Sequence, residues 1–151
     1  MGALVAALYV VLTFLCSTLG LSSGVIQLRF SEALCVLPVF FPSAVPGLFI
    51  GCLIANLVSG CVIWDIIFGS IATLLGALGA HALRKLPDKL KWLVTVPTIV
   101  ANTLIVPFIL VYAYGATEAL PFIMLTVFIG EVISAGICGS ALYYCLKKIF
   151  K

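Results

Sequence analysis

Charge is what this sequence has least of. Eight Lys/Arg and five Asp/Glu make up 9% of the 151 residues, where a soluble domain carries about 25%. That excludes a separate soluble domain in a chain of this length. Histidine is nearly absent, with His81 alone. No H-E-x-x-H, no Ser/His/Asp arrangement and no glycine-rich phosphate loop occurs. The chain therefore lacks the residue patterns of metal hydrolysis, acyl transfer and ATP hydrolysis, and no enzymatic role is expected. Its six cysteines (Cys16, Cys35, Cys52, Cys61, Cys138, Cys145) form no C-x-x-C or Cys/His cluster. They fall in or beside apolar runs, where cysteine packs as a small hydrophobe, so no metal, cofactor or disulfide is expected. The N-terminus has no basic region leading to a small-residue cleavage site, so the first apolar run is expected to remain in the mature protein. The net charge of +3 does not point to nucleic acid, because the basic residues sit in short loops and at the C-terminus.

What is present is apolar. Hydrophobic residues make up 64% of the chain, and mean hydropathy is +1.35. The chain reads as a single all-α integral membrane domain over 1–151. About six transmembrane helices are expected, near 2–20, 31–41, 44–59, 63–84, 92–114 and 119–147. A span needs about 20 apolar residues. The segment near 31–41 covers only about 18 Å at 1.5 Å per residue, which leaves a full span and a re-entrant piece both open. Small residues recur at four-residue spacing: Ala3 and Ala7, then Gly47, Gly51, Ala55 and Ser59. Such stripes let helices approach closely. Asp65, Gly69, Ala72, Gly76 and Ala80 share one helical face, so the Asp65 carboxylate is expected to point toward packed protein.

Orientation follows from the basic residues. Arg84, Lys85, Lys89 and Lys91 lie in one loop, and Lys147, Lys148 and Lys151 end the chain; Arg29 alone lies elsewhere. Cytoplasmic loops carry the Lys/Arg excess, so both clusters are expected inside, with two spans between them. Six helices put both termini in the cytoplasm and Arg29 with Glu32 outside. A single kinked span over 31–59 would instead make five and put the N-terminus outside.

The stretch from Arg29 to Asn56 organises the rest. Arg29 and Glu32 precede three prolines, Pro38, Pro42 and Pro46, and Asn56 follows in the far half. A proline removes a helical hydrogen bond, and broken backbone at membrane depth is tolerated only where protein or a water-filled cavity covers it. Beside a carboxylate this reads as a binding site; alone it would read as a kink or a turn. Asp65 and Glu131 also sit in apolar runs, as do Asn56 and Asn102. A charge at the bilayer centre costs roughly 2.5–3.5 kcal/mol on insertion scales, so such groups face a cavity or a partner. Asp65 has a second reading, as a cap on its helix N-terminus. Glu131 lies far from both ends of its run and has none.

These groups offer many acceptors and few cations. A carboxylate accepting two parallel hydrogen bonds suits an amidine-like or guanine-like edge, and a second suits a cationic amine. Trp64, Phe41, Phe49 and Tyr112 can stack on a flat ring. A phosphate or carboxylate ligand would want several Arg or Lys, and the interior has none.

The runs Arg29-Phe-Ser-Glu32-Ala-Leu-Cys-Val-Leu-Pro38, Pro42-Ser-Ala-Val-Pro46-Gly-Leu-Phe-Ile-Gly-Cys-Leu-Ile-Ala-Asn56 and Trp64-Asp65-Ile-Ile-Phe-Gly-Ser-Ile-Ala-Thr-Leu closely resemble the queuosine-precursor transporter family. Its members are substrate-binding S-components of energy-coupling-factor (ECF) transporters in the bacterial cell membrane. The resemblance covers essentially the whole chain and is strongest over 29–75. It implies six helices and a 7-deazaguanine substrate, with an energising module of one transmembrane coupling protein and two cytoplasmic ATPases. In S-components an A-x-x-x-A pattern on the first helix contacts the coupling protein, and Ala3 and Ala7 match it. The substrate would then meet Glu32, Asp65 and Glu131, with Asn56 and Asn102 reading the carbonyl or ring nitrogen and Arg29 and Trp64 beside them. The competing reading is a stand-alone secondary transporter for a nucleobase-like or cationic solute, with Asp65 or Glu131 as a proton relay. No internal inverted repeat supports it.

Overall fold

A computed structural model describes residues 1–22 and 25–150. Ser23 and Gly24, in the loop expected before Arg29, and Lys151, one of the C-terminal cations, lie outside the described residues. The described residues form helices and turns, with no strand. In chain order they are α1 (Gly2–Thr18), a 3-10 segment (Phe30–Val39), α2 (Ala44–Val58), α3 (Ile63–Ala82), α4 (Val96–Tyr112), α5 (Leu120–Glu131), a π-helical stretch (Val132–Cys138) and α6 (Gly139–Ile149). Three continuous helical stretches, Ile63–Lys85, Asp88–Tyr112 and Leu120–Ile149, are long and apolar enough to cross a bilayer. The apolar helices Gly2–Thr18, Phe30–Val39 and Ala44–Val58 are shorter.

The segment after Arg29 is a 3-10 helix, not the α-helix its hydrophobic run suggests. Pro38 lies inside it, and 3-10 runs of ten residues are uncommon. Every residue from Ser31 to Pro38 is buried. An element apolar all round is covered on all sides, and this one packs against α1, α2, α3, α6 and the π-helical stretch. It is the centre of the molecule. Three residues per turn align positions three apart, which sets the Cys35 thiol 3.4 Å from Glu32 Oε2. The Phe40 N–H then donates to the Leu37 carbonyl at 2.9 Å, and Pro46 falls in the first turn of α2, where its missing N–H costs nothing.

Small residues seat the surrounding helices. Gly47 of α2 packs directly on the Gly2 backbone, and a Cβ at Gly51 would lie 2.9 Å from Ala6 Cα. A Cβ at Gly76 of α3 would lie 2.8 Å from Thr98 Cα of α4. Ala55, Ala72 and Ala80 are fully buried. These close crossings need no bulky core and leave room for polar side chains between the helices. Gly60, with φ +71°, takes the left-handed conformation that ends α2 and turns the chain into α3.

Candidate substrate site

Four elements deliver polar side chains to one region. A cavity of about 300 Å³ is lined by Tyr9, Thr13, Cys16 and Ser17 of α1, by Gln27, Arg29 and Ser31, by Asn56, Ser59, Cys61 and Asp65, and by Leu110 and Tyr114. Ligand sites for small molecules begin at about this volume. A second, much smaller space of about 10 Å³ is lined by Gln27, Arg29, Val106, Val127 and Glu131. Gln27 and Arg29 belong to both, so their side chains form the wall between them.

The three carboxylates sit in different environments. Glu32 is 1% exposed and occupied by its own protein. The Tyr9 hydroxyl donates a short hydrogen bond to Oε1, the Thr73 hydroxyl adds a long one at 3.4 Å, and Cys35 lies on Oε2. Asp65 is 4% exposed. Its Oδ2 accepts from the Tyr114 hydroxyl at 2.8 Å, while Oδ1 has no partner. Glu131 is 6% exposed, and its Oε2 has no partner. Asn102 lies within hydrogen-bonding reach of Glu131, although its Nδ2 makes no hydrogen bond of good geometry.

Each placement has a local cause. Asp65 falls in the first turn of α3, where the helix dipole favours negative charge, but Val62 is the N-cap residue and no side chain caps the helix. The capping alternative for Asp65 does not apply. Asn56 donates from Nδ2 to the Asp65 carbonyl at 3.3 Å, tying the end of α2 to the start of α3. Glu131 ends α5, and the helix continues in π form through Val132–Cys138, a distortion common at functional sites. Ser134 within it is fully buried and accepts from the Arg29 backbone N–H at 3.1 Å. Among the described residues Arg29 makes no ion pair.

A family model described as "QueT transporter" matches residues 1–148. The chain belongs to the QueT transporter family. No curated protein and no solved structure matches it. Family membership and the long apolar helices make it a multi-pass membrane transporter, not an enzyme, with a small-molecule substrate.

Within this QueT family member, the structure brings Arg29, Asn56 and Asp65 together at the larger cavity and Asn102 and Glu131 near the smaller one. Glu32 lies apart from both linings. Trp64 does not join them. It is 56% exposed and stacks on Phe68 in an outward apolar groove between α3 and α4, because adjacent helical residues point about 100° apart. Phe41 instead packs edge-on against Phe150 at 5.2 Å, and Tyr112 is 80% exposed. None of these rings, nor Phe49, lines the cavity; its aromatic walls are Tyr9 and Tyr114. Sequence reasoning missed both tyrosines. For Tyr9 a signal existed: it lies six residues past Ala3, on another face of α1. For Tyr114, in a loop beside Gly115 (φ +68°), none did. Partial burial, and then the hydrogen bond to Asp65, raise the Tyr114 phenol above its usual pKa, which keeps it a neutral donor.

Ala3 and Ala7 lie elsewhere. Both face outward and line a broad apolar groove with Ala6, Gly47, Ile50 and Ile54.

Proposed function

We propose that this chain is the substrate-binding S-component of an ECF-type importer, taking up a queuosine precursor, a 7-deazaguanine base, across the bacterial cell membrane. The observation that supports the substrate class is that Asp65 Oδ1, Glu131 Oε2 and Asn102 Nδ2 are unpartnered and buried, as are the Thr98 and Thr103 hydroxyls among the described residues. Buried polar groups are normally satisfied, so atoms left open beside a cavity await a ligand. Two acceptors and one amide donor suit a base rich in N–H groups. A phosphate would need several cations, and Arg29 is the sole one on the cavity wall.

The site in this reading comprises Arg29, Asn56, Asp65, Asn102 and Glu131, with Glu32 holding the floor through Tyr9. The chain is one transmembrane domain of six helices in an S-component-like bundle, with both termini and the 84–91 loop in the cytoplasm. The Ala3/Ala7 groove receives the coupling protein: small outward residues permit the close backbone approach that drives helix association in lipid. ATP is hydrolysed by two cytoplasmic ATPase subunits, since this chain has no nucleotide-binding motif.

Calorimetry on the purified protein with 7-aminomethyl-7-deazaguanine, 7-cyano-7-deazaguanine, queuine and guanine tests the substrate. Binding of a deazaguanine with much weaker guanine binding is expected; no binding to any of them overturns the substrate class. Uptake that needs ATP and a copurifying ATPase pair is expected. Uptake by the chain alone, driven by a proton gradient, would refute the S-component role.

A further inference from the structure

The basic turn between α3 and α4 lies away from the cavity. A 3-10 turn, Leu83–Lys85, ends α3, and a second 3-10 stretch, Asp88–Thr95, leads straight into α4. The two pack on each other. Their cations fall into two sets. Lys91 is buried, and its ammonium donates to the Arg84 carbonyl. That caps the end of α3 and pins the two turns together. Asp88, the one acidic side chain of the 84–91 loop, pairs with Lys147 at 2.9 Å. Arg84, Lys85 and Lys89 make up the other set. All three are exposed, and none pairs with a carboxylate among the described residues.

Apolar surface adjoins these three cations. Three residues per turn put Lys89 and Trp92 on one side of the second 3-10 stretch. Trp92 is 52% exposed and Leu90 42% exposed, and Val100, two turns into α4, is exposed as well. An outward indole in a membrane protein belongs at the boundary between headgroups and acyl chains. A purely acidic soluble partner would have no use for it. Unpaired cations beside an outward tryptophan fit a phosphate that is attached to hydrocarbon.

We propose that this turn is a binding site for an anionic phospholipid. Arg84, Lys85 and Lys89 hold the headgroup phosphate, and Trp92 packs against the glycerol and the upper acyl chain. The Lys91 cap and the Asp88–Lys147 pair fix the turn before lipid arrives, so little ordering opposes binding. A zwitterionic phospholipid carries its own cation, which these three side chains repel. The site uses neither the cavity nor the Ala3/Ala7 groove and goes beyond the transport reading.

Trp64 and Trp92 are the two tryptophans of the chain, so Trp64→Phe leaves Trp92 as the sole fluorescent reporter. In that background, quenching of Trp92 is compared in bilayers holding phosphatidylglycerol or phosphatidylcholine with brominated acyl chains. Each Lys or Arg near a lipid surface contributes about fivefold to attraction of anionic lipid. A preference for phosphatidylglycerol of about tenfold or more is therefore expected. Arg84→Gln with Lys85→Gln and Lys89→Gln should bring the two lipids to within about twofold. Lys89→Gln alone, at an exposed position, should lower the preference by about two- to fivefold and serves if the triple variant does not fold. Equal quenching by the two lipids before these changes overturns the proposal, as does a preference that survives them. Variants that keep the lipid preference but lose a copurifying coupling protein would make the turn a protein-docking surface and refute the lipid site. The readout needs no substrate, so its failure leaves the transport reading standing.

Discussion

The Tyr114 hydroxyl reaches back across 49 residues to donate to Asp65 Oδ2 at 2.8 Å. The Tyr114 hydroxyl oxygen also accepts from the Val62 backbone N–H at 3.4 Å. One side chain from the α4–α5 loop thus latches the start of α3 and orients its carboxylate, at the edge of the cavity that both line.

Removing that latch is the first prediction. Tyr114→Phe removes the hydroxyl that donates to Asp65 Oδ2. Because a hydrogen bond to a charged group contributes about 1.5–3 kcal/mol, ligand affinity should fall by about tenfold or more. Calorimetry measures it, and an unchanged Kd would show that Tyr114 does not position Asp65.

Tyr9 should behave differently. Tyr9→Phe strips Glu32 of its shortest bond and leaves the long Thr73 contact and Cys35. A buried carboxylate that loses a partner destabilises the fold, here by about 1–3 kcal/mol. The melting temperature in detergent should drop clearly. No drop would mean that Glu32 is not a structural tie.

Gly130 of α5 packs directly on the Gln27 carbonyl. The contact is with backbone, which cannot swing aside, so Gly130→Ala must push the 25–29 loop outward. Gln27 and Arg29 line both spaces, so ligand affinity should weaken. Gly76→Ala, pressing on Thr98, should instead lower stability by about 1–3 kcal/mol, the usual cost of overpacking. Thermal melts and calorimetry on both variants separate the two effects.

Ala3 and Ala7 lie on the outward face of α1, away from the cavity lining. Ala3→Leu with Ala7→Leu should leave ligand affinity within about twofold, as distant sites act independently, yet abolish copurification with the coupling protein and uptake. Loss of ligand binding would place these residues in the site's own scaffold.

Much of this was legible along the chain. Asp65 and the small residues on its face pointed inward because helical spacing fixes which positions share a side. Glu131 stood out because a carboxylate deep in an apolar run has no cheap alternative to a cavity or a partner. The 3-10 form of Phe30–Val39 was not legible. Its apolar run fits an α-helix as well, and only burial on every side, with Pro38 inside, selects the tighter winding. Trp64 misled because proximity to Asp65 in sequence puts it on a different face.

Composition together with the long unbroken apolar runs pointed to a helical membrane protein with an acceptor-rich interior, since a barrel would show short segments of alternating polarity instead. Tertiary structure alone decided which carboxylate is spent and which is open. That depends on Tyr9, Thr73 and Tyr114 arriving from distant helices and a loop, and no local spacing encodes where donors from elsewhere in the chain will land.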